Sequence, residues 1–129
     1  MYGYKKKVSL GFEQAVERVR DALQKEGFGV LTEIDVQATL KKKLGVDVEK
    51  YIILGACNPP FAYQALQAEQ DVGLMLPCNV IVYEKGGETF VAAILPTVAM
   101  QMIENDALRG IATEVEVRLK RAIDALEAR

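Results

Sequence analysis

Histidine is missing from all 129 positions of the sequence. Its absence excludes Ser-His-Asp and Cys-His catalysis, together with every metal site that is built on imidazole ligands. It also removes the side chain that most often transfers protons near neutral pH. The missing histidine therefore narrows the available chemistry more than any residue that is present.

A surplus of positive charge and a long hydrophobic run are missing as well. The chain has 16 basic and 18 acidic residues and a net charge of -2, whereas proteins that bind nucleic acid usually carry a basic face. No stretch approaches the roughly 18 consecutive apolar residues of a membrane-spanning helix. The first residues also lack the apolar segment of a secretory signal. We therefore expect a cytoplasmic protein that binds neither nucleic acid nor membranes.

Cysteine is scarce, and both cysteines occupy the same kind of position. Cys57-Asn58-Pro59 follows one apolar run, and Pro77-Cys78 directly precedes another. Each cysteine thus lies where a predicted strand meets a turn, and such junctions carry functional side chains more often than cores do. In the cytoplasm both side chains would be kept as thiols. The two segments predict a functional site.

Cys57 and Cys78 are the candidate catalytic residues. If Pro59 begins a helix, Cys57 precedes the positive end of that helix, which favours the reactive thiolate, and Cys78 would act as its resolving partner. The alternatives are a reversible disulfide, a soft-metal site, a small-molecule pocket, or two buried core cysteines. We predict no metal site, because two thiolates need further ligands and the sequence offers only carboxylates. The sequence identifies no cofactor.

Asp35 and Asn58 each allow a structural and a functional interpretation. Both residue types accept hydrogen bonds from backbone N–H groups in the first turn of a helix, so each is a candidate N-cap. A carboxylate at a strand end also serves as a general base or binds a polar ligand, and Glu33 offers a second carboxylate nearby. The predicted ligand-binding residues are Asp35, Cys57, Asn58, Pro59, Pro77 and Cys78.

Hydrophobic periodicity divides the chain, taken as one domain over residues 1–129, into five strands and several helices. The predicted strands are Tyr2–Leu10, Phe28–Ile34, Tyr51–Ala56, Val80–Lys85 and Glu88–Leu95. The predicted helices are Phe12–Glu26, a short helix between Asp35 and Gly45, one that begins at Pro59, a short one over Thr97–Ile103, and a long one from Asn105 or Asp106 to about Ala128. This order predicts an α+β fold, in which a mostly antiparallel sheet carries the two longer helices on one face and short helices connect the rest.

Three of the predicted strands, over residues 51–56, 80–83 and 90–95, are apolar on both faces. A sheet with one solvated face would instead alternate apolar and polar residues. The short helices can cover part of the second face, and the partner subunit of a homodimer is the other candidate, since a large exposed apolar patch usually marks an interaction site.

Four strings in the sequence, Gly27–Val36, Ile53–Pro59, Leu76–Val80 and Ile94–Pro96, resemble the prokaryotic family of domain of unknown function 302. The resemblance extends over nearly the whole chain. It implies a fold similar to that of the TATA-box-binding protein, with the order β-α-β4-α and an antiparallel sheet, and it implies a homodimer. It implies no activity, because function is not inherited from a fold.

Three hypotheses about function follow. The leading one is a homodimer that binds a small ligand near the strand ends of Cys57 and Cys78. The second is a redox or nucleophilic enzyme that uses Cys57 together with Cys78. The third is a structural or protein-interaction module without catalytic activity. The sequence favours the first over the second, because an enzyme without histidine is less common.

Overall fold

A computed structural model describes residues 1–127 of the chain. The strands are β1 (Gly3–Val8), β2 (Gly29–Asp35), β3 (Tyr51–Cys57), β4 (Cys78–Lys85) and β5 (Glu88–Ile94). The helices are α1 (Phe12–Lys25), α2 (Val36–Leu44), α3 (Pro59–Ala68), a 3-10 helix (Gln70–Met75), α4 (Pro96–Ala99) and α5 (Asp106–Asp124). The predicted α+β class is confirmed.

The five strands form a single antiparallel sheet in the order β1-β5-β4-β3-β2. The two-residue turn Gly86-Gly87 joins β4 to β5 as the sequence predicts, with positive φ angles at both glycines. β1 lies at the far edge from β2 and pairs with β5, so that Gly3 is opposite Ile94. The first and the last strand of the chain are therefore neighbours in the sheet.

The main core lies between the sheet and the helices α1 and α5. Residues at even positions of β3 and β4 and odd positions of β5 point to this side, because successive side chains of a strand alternate between faces. Leu54, Val80 and Val91 represent the three strands, and all are fully buried. The helices contribute Val19 and Leu119. A one-sided stripe on each helix thus meets one face of the sheet, as the periodicity predicts.

The other sheet face is not covered by either long helix. Its central side chains are those of Tyr51, Ile53, Ile81, Tyr83, Phe90 and Ala92, which we call the open face. They are only partly buried, and none of them belongs to either buried hydrophobic cluster among residues 1–127. Tyr83 stacks on Tyr51 and on Phe90, with ring centroids 5.4 and 5.3 Å apart. The prediction of strands with two apolar faces is therefore confirmed by the structure.

Two predicted helices are shorter in the structure. The predicted helix Thr97–Ile103 is one turn, α4, because the N–H groups of Gln101 and Ile103 bond to carbonyls three residues back, which is a series of turns. The long helix α5 ends at Asp124, and its predicted end at Ala128 lies outside the described residues. Within residues 1–127, no helix is both long and apolar enough to cross a bilayer.

Candidate functional site

An apolar cavity of about 310 Å³ lies where the ends of β2, β3 and β4 meet α3 and α5. The β-strand side provides Ala56, Cys57 and Cys78. The remaining wall residues are Phe28, Leu31, Asn58, Phe61, Ala62, Ala65, Leu66, Leu76, Pro77, Pro96, Met100, Ile111, Ala112 and Val115. Asn58 is the one wall residue with a polar amide, so the cavity offers hydrophobic contact rather than charge.

The register of the sheet brings the two cysteines together. Cys78 is the first residue of β4 and lies directly opposite Ala56 of β3, so Cys57 is the residue next to its pairing partner. Both residues line the cavity, and neither takes part in a disulfide. Cys78 is buried, whereas Cys57 is half-buried. The pairing of β3 with β4 therefore makes the two cysteine segments neighbours.

Burial changes the chemistry of Cys78. Removal from water disfavours the charged thiolate, and it raises the pKa of the Cys78 thiol to about 11; the neighbouring Cys57 adds to the rise. An ordinary cysteine has a pKa of about 8.5. At neutral pH, Cys78 therefore presents a neutral S–H group to the cavity.

Asn58 is at the N-cap position of α3, but its side chain does not cap that helix. Its Nδ2 instead donates a hydrogen bond of 3.2 Å to the carbonyl oxygen of Glu26, which is the C-cap residue of α1. Gly27 has a φ of 87°, and a Cβ at this position would lie 3.0 Å from the same Nδ2. The hydrogen bond of Asn58 thus connects the end of α1 to the turn after β3. The same amide would be crowded by any side chain at position 27, which favours glycine there.

Gly55 allows three segments to meet beside the cysteines. A Cβ at this position would overlap the Thr32 hydroxyl and would lie 2.7 Å from Cγ of Pro77. Pro77 follows Leu76 through a cis peptide bond and lines the cavity. The close approach of β2, β3 and the segment before β4 therefore depends on glycine at this position.

Two predicted site residues are not at the cavity. Asp35 is paired with Ile52 in the β2–β3 ladder, whereas Cys57 is paired with Gly29 at the opposite end of β2. Six residues of strand separate the two ends, which is about 20 Å. Asp35 is grouped with the cysteines by the sequence, but the pairing register places it at the other end of β2, far from the cavity. The other residue, Pro59, is exposed and is not among the wall residues.

Both carboxylates of β2 have structural partners. The Asp35 side chain accepts a hydrogen bond of 2.9 Å from the Ala38 N–H, so it is the N-cap of α2. Glu33 forms an ion pair with Arg20 of α1. The interpretation of Asp35 as a helix cap is therefore confirmed.

Most of the cavity wall could not be recognised as such in the sequence. Ile111, Ala112 and Val115 lie on the apolar stripe of α5, and they carry no sign that they face a void instead of a filled core. Phe61 lies on α3 beneath the Arg118 guanidinium, whose Cζ is 5.1 Å from the ring centre. In residues 1–127, no group of three or more histidine, cysteine, aspartate or glutamate side chains could hold a metal ion.

Comparison with known proteins identifies the family. The family model described as domain of unknown function DUF302 matches residues 4–126. A crystal structure of an uncharacterized conserved DUF302 protein from Bacillus stearothermophilus is 37% identical and has a TM-score of 0.90, with 96% of this chain and 97% of that chain covered. No curated protein matches the chain. Since both the sequence and the fold agree over nearly the full length, the chain belongs to the DUF302 family.

Proposed function

We propose that the protein binds a small, largely apolar molecule in the cavity beside Cys57 and Cys78. The observation that carries the proposal is the cavity itself, with a volume of about 310 Å³ and an apolar wall. Pockets for small molecules have volumes from about 300 to 1,000 Å³ and are mostly apolar, with a few polar groups. A well-packed interior has few voids larger than a water molecule. The apolar wall distinguishes this cavity from two other clefts of the described residues, and it favours a ligand over water as the occupant.

The walls favour a ligand whose buried part is uncharged. Asn58 is buried, and its Nδ2 is already bonded to Glu26. Cys78 is neutral at physiological pH because its pKa is about 11. A buried charge without a partner costs several kcal/mol, roughly, so a charged group of the ligand would remain outside the cavity.

The same pKa supports binding over thiol catalysis by Cys78. A thiol with a pKa of about 11 is almost entirely protonated at pH 7, and the thiolate is the nucleophile. A resolving role for Cys78 would require the same thiolate. We therefore place ligand binding first and the thiol enzyme second.

A substitution at Ala62 tests the proposal. Ala62 is half-buried, lies on α3 and contributes to the cavity wall, so the variant Ala62→Phe would fill part of the cavity. The control is Gln64→Phe, which adds the same ring at an exposed position of the same helix. A thermal-shift screen of uncharged apolar compounds should identify ligands that stabilise the natural protein and the control, but not Ala62→Phe. The proposal is wrong if no compound stabilises the natural protein, or if Ala62→Phe responds equally.

We infer further that the ligand-binding protein is a homodimer that pairs through the open face. The open face is the centre of a five-stranded sheet whose strands are about 4.8 Å apart and about 20 Å long, so this side of the whole sheet offers on the order of 500 Å² per copy. Two copies would bury about 1,000 Å², which is the lower end of specific interfaces. The net charge of -2 is small enough that two copies repel each other only weakly. Light scattering should therefore give the mass of two chains.

A further inference from the structure

A second cavity, of about 240 Å³, lies directly beside the first. Its own wall residues are Leu74, Met75, Asn79, Ile94 and Ala99, so it is apolar except for one amide. Five residues belong to the walls of both cavities. They are Leu76, Pro77, Cys78, Pro96 and Met100. Because these walls are shared, a single layer of side chains separates the two spaces.

Met100 is the movable part of this layer. Pro77 and Pro96 have rigid rings, Cys78 is fixed by its place at the start of β4, and Leu76 has a short, branched side chain. Met100 has an unbranched side chain with three rotatable bonds, which adapts to irregular gaps. It is 8% exposed, and it follows the single turn of α4. Rotation or truncation of this one side chain would therefore connect the two cavities.

We propose that the ligand contains an unbranched alkyl chain and that Met100 sets the length of chain that the protein accepts. The inference rests on the proposed function, because it assigns a chemical class to the ligand of the same cavity. A flexible chain can bend around the Met100 side chain from the first cavity into the second. A compact ring system of the same carbon number would occupy the first cavity alone and would gain no contact with the second. The head group of the ligand would remain in solvent, since the wall has no charged side chain.

The affinity for linear alcohols of increasing length measures the chain length that the cavity accepts. Each methylene that enters an apolar cavity contributes about 0.8 kcal/mol, which corresponds to about a fourfold gain in affinity. Calorimetric titration with the series from hexanol to dodecanol should show this gain up to a limiting length and a plateau beyond it. The cyclic alcohols of the same carbon number fit the first cavity alone, so truncation of Met100 should not strengthen their binding.

Truncation of Met100 should raise the limiting chain length of the alcohols. In Met100→Ala, the affinity should continue to rise for several methylenes beyond the natural limit, so that the longest alcohols bind at least tenfold tighter than they bind the natural protein. The double variant Met100→Ala/Ala99→Leu should lose this gain, because Ala99 lines only the second of the two cavities. The control is Met102→Ala, the same change at a residue that is 80% exposed. If Met100→Ala does not fold, Met100→Val provides a milder truncation.

Two results overturn the inference, and they differ in what they mean for the site. If linear alcohols bind but Met100→Ala and Met100→Val keep the natural limit, or if Met100→Ala strengthens the binding of cyclic alcohols by the same factor, then the cavity binds a ligand of another class. If no alcohol binds the natural protein, and Ala62→Phe and the natural protein behave alike in the broader screen, then the proposed function fails as well.

Discussion

Single side chains determine most of the chemistry at the cavity, and Cys78 is the clearest example. Its pKa is raised to about 11 by burial, so the folded protein holds this proton more tightly than the unfolded chain does. The contribution of Cys78 to stability is complete below about pH 8.5, the ordinary thiol pKa, and is lost as the pH rises through about 11. The protein should therefore become less stable over this alkaline range.

The variant Cys78→Ala isolates that effect. Between pH 8 and 11, the natural protein should lose on the order of 3 kcal/mol more of its free energy of unfolding than Cys78→Ala does, from the difference of roughly two pKa units. Urea unfolding at a series of pH values measures the difference. At pH 8, iodoacetamide should modify the half-buried Cys57 well before Cys78. If the free energy of unfolding fell equally with pH in both proteins, the alkaline loss of stability would not come from Cys78.

Gly55 should be the glycine least tolerant of substitution beside the site. The variant Gly55→Ala forces a Cβ against the Thr32 hydroxyl and Pro77, and neither backbone can move away freely inside the sheet. Overpacking of this kind costs about 1–3 kcal/mol. The matched control is Gly110→Ala in α5, where nothing lies within 4 Å of the new Cβ. That change should raise stability by about 0.5–1 kcal/mol, because alanine is the better helix former.

Urea denaturation of the two glycine variants gives both values directly. The prediction concerns their opposite signs, which do not depend on the exact size of either change. Equal effects at positions 55 and 110 would show that the contact between β3, Thr32 and Pro77 is looser than the structure indicates.

For single side chains, the sequence predicts hydrogen bonds to nearby residues better than hydrogen bonds to distant ones. Asp35 and Asn105 are predicted caps, and each accepts a bond from the backbone three residues later. Asn58 has the same sequence context, yet its amide bonds to Glu26, which is 32 positions away. A cap can be read from neighbouring residues, whereas a bond to another element depends on how the chain folds back.

The helices and strands follow the periodicity of the sequence closely. The predicted helix Phe12–Glu26 is observed as Phe12–Lys25, and the hairpin around Gly86 has its turn where two glycines predict it. The cavity was not visible in the same pattern. Apolar residues of α3 and α5 have the same spacing whether they fill a core or surround a void, because periodicity records the direction of a side chain and not what it meets.

The register between strands was the other information missing from the sequence. Cys57 and Cys78 are both at strand ends, and so is Asp35, but only the pairing of β2 with β3 shows that Asp35 belongs to the opposite end. An antiparallel partner reverses the chain direction, so residues at neighbouring strand ends are close or distant according to the connection. This is why the four segments of the family resemblance identify the fold better than they identify the site.

The proposed homodimer makes stability depend on concentration for the molecule as a whole. A dimer gains folded-state free energy by mass action, so its melting midpoint should rise when the protein is concentrated a hundredfold. The variant Ile81→Glu places a carboxylate at the centre of the open face, next to Ile53 and Ala92 in the pairing register. It should be monomeric in light scattering, and its melting midpoint should be the same at every concentration.

Val117→Glu is the control for that variant, since it introduces the same charge at an exposed position of α5. It should remain a dimer with a concentration-dependent midpoint. A monomeric natural protein, or an Ile81→Glu variant with the mass of two chains, would show that the open face does not pair two copies.

The order of the sheet also bears on how the chain folds as it is synthesised. β1 is made first, yet within residues 1–127 it pairs with β5 alone, so Gly3 cannot pair until Ile94 has been made. Ribosomes add about 5–20 residues per second, so the first strand remains without a partner for roughly 5–20 s of synthesis. Its lysines, Lys5, Lys6 and Lys7, should discourage pairing with other chains during this interval, because charge on an edge strand has that effect. The lysine triplet is thus as relevant to the newly made chain as to the finished protein.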